Sequence, residues 1–259
     1  MNFRELSNYF DETERIAGDY QTDLLIIQNT CITSASRILV ISNVGTAVHL
    51  AKLVGCTIDL IDMDRKKCDN FVKYIEEEEL SGKIRVINSR IEDLQPESRN
   101  YNLIICGNIF SVLNKKCRQA CAQILVQLLE DGGGFVVTQY FYIEKKIAME
   151  ELHSLEYPED ATWWLNFYEQ FPLELRVKKE YEFLRLEEEE LDAWLQKLFD
   201  RTKGIHGNSE TEKEHQSEYR RMVFKMMSEI DKIHYYFLVY TKETVRREPY
   251  LFKIREVKI

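Results

Sequence analysis

The chain has 259 residues, 44% hydrophobic and 12% aromatic, enough to bury a substantial core as one large domain or as a domain with a sizeable insertion. A formal net charge of -9 and a pI near 5.3, with lysines and arginines scattered among acids, disfavour nucleic acid as a partner. No apolar run approaches the ~20 residues that span a bilayer, and Met1-Asn2-Phe3-Arg4-Glu5 has no signal-peptide core, so a cytoplasmic protein with no membrane partner is expected.

Residues 2–32 mix apolar and polar positions at helical spacing and read as one or two leading helices, with Leu24, Leu25, Ile26 and Ile27 as an apolar patch. Residues 37–42 suit a buried parallel strand. Residues 46–54 put Ala47, Leu50, Ala51 and Val54 on one helical stripe, which Gly55 ends as a C-cap. A strand at 57–62, a helix near 65–79, strands at 83–88 and 101–106 and a helix at 115–130 continue the alternation. A tight turn, Asp131-Gly132-Gly133-Gly134, then leads into a strand at 135–140. This order requires crossover connections, hence a parallel, doubly wound sheet.

Beyond Tyr142 the alternation stops. Residues 144–171 read as mainly helical, with Trp163, Trp164, Phe167 and Tyr168 on a packing surface that also has the composition of a cage for a cationic amine. A strand over 173–186, an amphipathic helix over 187–200, a polar loop over 202–214 with Gly204 and Gly207, and a helix over 217–232 follow. Late strands are expected at 235–241, antiparallel to the rest, and at 250–257. The organisation is thus a helical cap (1–34), a Rossmann-like core (35–142), a cap or insertion with further core elements (143–232) and C-terminal strands (233–259).

The cysteines Cys31, Cys56, Cys68, Cys106, Cys117 and Cys121 include no CxxC pair, so neither a zinc site nor a redox pair is signalled. The acid runs 76–79 and 187–190 read as solvated surface, because helical neighbours point in different directions. No metal is expected.

In order and spacing these segments resemble the class I S-adenosylmethionine-dependent methyltransferases over 38–241, most specifically over 38–140. The resemblance implies an α/β fold with a doubly wound, mostly parallel seven-stranded sheet and a helical cap. It also implies S-adenosyl-L-methionine as cofactor and methyl transfer to a small-molecule acceptor. In that family the first strand ends in an acid followed by a GxGxG turn. The corresponding positions here are Ile41, Asn43, Gly45 and Ala47, a degenerate glycine motif. Asn43 tolerates a left-handed backbone, Gly45 permits close approach, and another group has to supply the charge absent at Ile41. An NAD-binding domain would call for GxGxxG, of which only Gly45 is present.

The resemblance places Ser42, Asn43 and Gly45 against the cofactor. Asp62, 17 residues after Gly45, ends the second strand where an acid meets ribose hydroxyls; the alternative is that it only caps the next helix. Met63 is a candidate to pack on adenine. Ser89, Arg90 and Ile91 match the segment that reads the adenine edge, with Ser89 where an Asp is common. Tyr101-Asn102 has Asn for the family's Asp, and Gly107 and Asn108 face the cleft at the end of the fourth strand. The catalytic candidates are His206, set in a loop between glycines as a base or as a plain surface histidine, and Tyr140. Tyr9, Tyr20 and Tyr142 are further cleft candidates, and His215, Tyr219, Arg220 and Arg221 either bind an acidic substrate or form a solvated helix start. Transfer of another group from the same cofactor, such as aminocarboxypropyl, and a non-catalytic binding role are the competing readings. The second rests on Ile41, Asn43 and Asn102.

Overall fold

A computed structural model describes residues 19–95, 101–142, 159–182, 187–206, 210–228 and 233–243. The strand expected at 250–257, the helical span before residue 159 and Tyr9 lie outside these segments.

A leading helix α1 (Asp19–Asn29) is followed by β1 (Arg37–Ile41), α2 (Val44–Val54), β2 (Thr57–Asp62), α3 (Arg65–Glu77) and β3 (Ile84–Asn88). Then come β4 (Tyr101–Cys106), α4 (Lys115–Leu128), β5 (Leu129–Tyr142), α5 (Ala161–Tyr168) and β6 (Leu173–Glu182). Two helices, α6 (Glu188–His206) and α7 (Glu210–Ser228), precede β7 (Ile233–Lys242). The seven strands form one sheet in the order β3-β2-β1-β4-β5-β7-β6, in which β1 to β5 pair parallel and β7 runs antiparallel to both neighbours. Strand direction and the reversal of order between β1 and β4 follow the expected doubly wound pattern.

The β1 run Arg-Ile-Leu-Val-Ile is buried over its last four residues because both faces of the sheet are covered. On one face Ile38 and Val40 pack with Ile26 of α1, Val48 and Leu50 of α2 and Ile75 of α3. On the other, Leu39 and Ile41 pack with Leu125 of α4 and Trp164 and Tyr168 of α5. Register pairs Ile41 with both Ile61 and Cys106, and Asp62 with Asn88, so the carboxyl ends of β1, β2, β3 and β4 open on one rim.

Two expectations are corrected. The Asp131–Gly134 turn does not precede β5 but lies inside it: Tyr101 pairs with Leu129, then Leu103 with Gly134, and the residues between form a bulge with Gly132 at φ +79°. A side chain at Gly134 would meet Leu103 Cδ1 at 2.9 Å, which explains the residue type. Likewise 202–206 are not loop but the last turns of α6, and α7 starts at Glu210 instead of 217. Leu191, Leu195 and Phe199 on α6 bury against Tyr219 and Val223 on α7, a stripe whose burial outweighs the ~1 kcal/mol cost of Gly204 in a helix.

At the amino ends of the strands, Asp59 of β2 accepts Arg85 Nε at 2.8 Å, the Tyr101 hydroxyl at 2.6 Å and Arg37 Nη2 at 3.2 Å. Arg37, Lys83 and Arg85 border a groove of 410 Å³ there. Both arginines pair with Asp59 and Lys83 donates to the Gly55 carbonyl, so the groove is an ion-pair tie at the end of the sheet opposite the switch-point rim.

Candidate functional site

The rim is built first by the β1–α2 turn. Ser42 sits at φ +56°, and its N–H donates to the Ile61 carbonyl at 2.9 Å. The left-handed residue is therefore Ser42, not Asn43 as expected. Asn43 is instead the N-cap of α2, extended at φ -128°, its Oδ1 accepting the Thr46 N–H at 2.9 Å. The next residue but one is Gly45, where a Cβ would touch nothing nearer than Asn43 Oδ1 at 3.6 Å, so the space before it is open. A helix N-terminus with an open glycine lets a polar ligand approach backbone N–H groups.

Asp62 ends β2 at 7% exposure. Its Oδ1 accepts the Asp64 N–H at 2.7 Å, and its carbonyl takes the Ser89 N–H at 3.0 Å and Asn88 Nδ2 at 3.1 Å. The N-cap of α3 is Asp64, which accepts the N–H groups of Lys66 and Lys67, so capping is not the task of Asp62. Met63 between them is 63% exposed. After β3, the Ser89 hydroxyl donates to the Arg90 carbonyl and Arg90 pairs with Glu92 at 3.1 Å, while Ile91 is buried in the core beside Ile41 and Ile61. Burial pushes the Glu92 carboxyl up, but the Arg90 hydrogen bond and charge outweigh it and hold it below its usual value.

Gly107 precedes a short 3₁₀ turn, Asn108–Val112, at the end of β4. Asn108 Oδ1 accepts the Ser111 hydroxyl at 2.6 Å and Gln139 Nε2 at 3.1 Å, and the Tyr168 hydroxyl donates to Gln139 Oε1 at 3.3 Å. Gln139 is fully buried in β5 and ties this turn to α5. Burial keeps Tyr168 protonated far above neutrality, fixing it as a donor, and raises Cys106 well above its usual value and Cys121 to about 12, which makes neither thiol a nucleophile.

No protein-family model and no curated protein sequence matches the chain. Solved structures match it closely in backbone. The MccD protein superposes with a TM-score of 0.70 at 16% identity, covering 87% of this chain and 98% of its own. The [4+2]-cyclase SpnF also gives 0.70 at 16% identity, covering 88% and 82%. A SAM-dependent methyltransferase from Thiobacillus denitrificans, in complex with S-adenosyl-L-homocysteine, gives 0.67 at 12% identity, covering 93% and 99%. The fold is that of the class I S-adenosylmethionine-dependent methyltransferases.

Within this methyltransferase fold the remaining sequence candidates are distributed as follows. Asn102 is a structural tie, its Oδ1 accepting the Arg37 N–H at 2.7 Å and its Nδ2 donating to Glu130 at 2.7 Å. Trp163 and Trp164 hold a cation from the chain itself: the guanidinium carbon of fully buried Arg118 lies 4.8 Å and 4.5 Å from their ring centroids. Tyr219 is buried between α6 and α7, and Arg220 pairs with Asp192 at 3.1 Å, so both take part in the helical hairpin. His206 is the last residue of α6, and its imidazole, like the Tyr20, Tyr140 and Tyr142 side chains, lies outside the described residues. Tyr140 pairs with Tyr235 along β5 and β7.

One buried tie between α1 and α2 escaped the sequence reading. Asp23 of α1, 2% exposed, accepts the Thr46 hydroxyl at 2.7 Å and lies 2.6 Å from His49 Nδ1, both on α2. The legible signal was an acid directly before the apolar patch Leu24–Ile27, inside the stripe that packs on the sheet. Among the described residues no group of three or more His, Cys, Asp or Glu could hold a metal ion, and no helix is long and apolar enough to cross a membrane.

Proposed function

We propose that the chain binds S-adenosyl-L-methionine at the carboxyl ends of β1, β2 and β4 and transfers its methyl group to a small-molecule acceptor. The observation that carries this reading is the opening of the Ser42–Gly45 turn and Asp62 on the same rim of a methyltransferase sheet. Asp62 would take the ribose hydroxyls, Met63 and Ile91 the adenine faces, Ser89 and Arg90 the adenine edge, and Gly45 the close backbone approach. Gly107 and Asn108, braced by Gln139, would border the methyl and the acceptor. When bound, the sulfonium supplies an activated methyl group, and the protein's task is to align an acceptor in line with it and exclude water. Tyr140 on β5 is a candidate to orient that acceptor. The absence of disulfides among six cysteines fits a reducing, cytoplasmic setting.

Calorimetry with S-adenosylmethionine and S-adenosylhomocysteine tests the reading: micromolar binding of both is expected, and no binding at millimolar concentration would refute it. A second reading, different chemistry on the same cofactor-binding fold, draws on the similarity to a [4+2]-cyclase. Product analysis after incubation with cell extract separates the two, since only methyl transfer yields S-adenosylhomocysteine in proportion to a methylated product.

A further inference from the structure

The groove at the amino ends of β1, β2 and β3 holds more positive charge than its acid neutralises. Among the described residues lining it the cations are Arg37, Lys83 and Arg85 and the only acid is Asp59, a local excess of positive charge on a chain whose formal net charge is -9. Asp59 is 4% exposed and fixes both guanidinium groups: Arg85 donates to it through Nε at 2.8 Å and Nη2 at 2.9 Å, and Arg37 through Nη2 at 3.2 Å. These bonds use one edge of each guanidinium, and the two side chains stay 52% and 39% exposed, so their Nη1 groups are left for an acceptor in the groove. Lys83 Nζ donates to the uncharged Gly55 carbonyl at 2.8 Å, which holds the ammonium without cancelling its charge. Ser81 and Gly82 complete the lining at the tip of a turn closed by the Leu80 carbonyl, which accepts the Lys83 and Ile84 N–H groups. A Cβ on Gly82 would meet nothing within 4 Å, so this wall is open.

Two guanidinium groups held apart by a buried carboxylate, with an ammonium beside them, suit a tetrahedral dianion, because the planar forks match phosphate oxygens. The groove's 410 Å³ lies in the range of roughly 300–1,000 Å³ that holds small molecules. A long polyanion would be repelled by the acidic chain around it.

We propose that this groove binds a small phosphate-bearing ligand, free phosphate or a phosphate monoester, at a site separate from the cofactor rim. The five residues of β1 put roughly 16 Å between the two ends of the sheet, so both can be occupied at once. The inference stands on the groove alone and not on the methyltransferase reading.

The test is titration of the full chain with inorganic phosphate, ribose 5-phosphate and ribose at constant ionic strength, read by calorimetry and phosphorus NMR. Saturable binding of a phosphate probe with a Kd below about 1 mM is expected, with ribose silent. Tighter binding of the ester assigns the groove to phosphorylated small molecules, and tighter binding of the free ion assigns it to phosphate itself. Gly82→Asp sets a carboxylate in the open wall without removing a side-chain contact, and it is expected to weaken binding by about 10-fold or more. Arg85→Gln, which removes charge-assisted hydrogen bonds, is expected to do the same. Thermal denaturation of each variant checks the fold, and should Arg85→Gln unfold, Gly82→Asp carries the test. The bound phosphate is expected to persist in saturating S-adenosylhomocysteine. No saturable binding by about 10 mM, equal binding of ribose, unchanged affinity in Gly82→Asp, or displacement by S-adenosylhomocysteine overturns the inference.

Discussion

The Asp62 carboxylate accepts the N–H of Asp64 at 2.7 Å, and Asp64 in turn caps α3 through the N–H groups of Lys66 and Lys67. Two acids two residues apart thus divide the work at the end of β2: one shapes the turn and faces the rim, the other starts the helix. Asp62→Ala is expected to weaken S-adenosylmethionine binding by about 1–3 kcal/mol, the range for hydrogen bonds to a charged group. Asp64→Ala is expected to cost about 1 kcal/mol of stability as a lost N-cap while leaving affinity unchanged. Calorimetry and urea denaturation of both variants check the division, and a shared phenotype would contradict it.

Asp59 predicts a pH dependence at the other end of the sheet. Burial pushes its carboxyl up, but hydrogen bonds from Arg85 and Tyr101 and the charges of Arg85 and Arg37 outweigh that and hold it below the usual 3.8. A carboxyl depressed in the folded state stabilises fully above its unfolded value and loses that contribution as pH falls through the lower folded value. Because the two arginines are 39% and 52% exposed, screening leaves about 1.5–3 kcal/mol for the whole tie at neutral pH. Asp59→Asn is expected to lose that amount at pH 7, with the gap to the parent shrinking as pH drops below 3.8 in denaturation curves.

Arg118 is the residue the sequence hid most completely. A lysine- and arginine-rich start to the helix at 115 reads as a solvated face, yet Arg118 is fully buried under Trp163 and Trp164, with Glu159 3.6 Å from Nη1. Arg118→Ala is expected to cost about 2–4 kcal/mol, from the lost cation–π contacts and the cavity left behind, and to shift tryptophan emission to the red as α5 loosens. An unchanged spectrum and an unchanged urea midpoint would show that α5 docks without it.

The same contrast between local and long-range information accounts for what the sequence made legible. Strands at 37–42, 57–62 and 101–106 are short β-branched runs between helical stripes, and their boundaries fall within a residue of the observed ones because period and burial agree. The glycine run at 132–134 signals irregularity but not that Leu129 has already joined β4, since that depends on a pairing with Tyr101 some 28 residues away. At the site, the degenerate motif located the turn but misassigned its strained residue. Asn43 is drawn to the N-cap by its side chain, which leaves the left-handed conformation to Ser42. Asp23 was invisible as a tie between α1 and α2 because its partners, Thr46 and His49, lie more than 20 residues downstream.

Gly45 separates a glycine needed by the fold from one needed by a ligand. At Gly133 an added Cβ would come within 2.9 Å of the Glu130 carbonyl oxygen, a backbone atom that cannot yield cheaply, so Gly133→Ala is expected to destabilise the chain. At Gly45 the nearest neighbour is a side-chain oxygen at ordinary contact distance, and the residue lies in the first turn of α2. Replacing a helical glycine by alanine gains up to about 1 kcal/mol when nothing clashes, so Gly45→Ala is expected to be neutral or stabilising. If the open space exists for a cofactor's approach to the backbone, the added methyl should weaken S-adenosylmethionine binding, and the two branches of Gly45→Val should abolish it in a protein that melts as the parent does. Thermal denaturation beside calorimetry reads both properties on one sample. Retained affinity in Gly45→Val would move the cofactor away from this turn, and a folding defect in Gly45→Ala would return the glycine to a structural role.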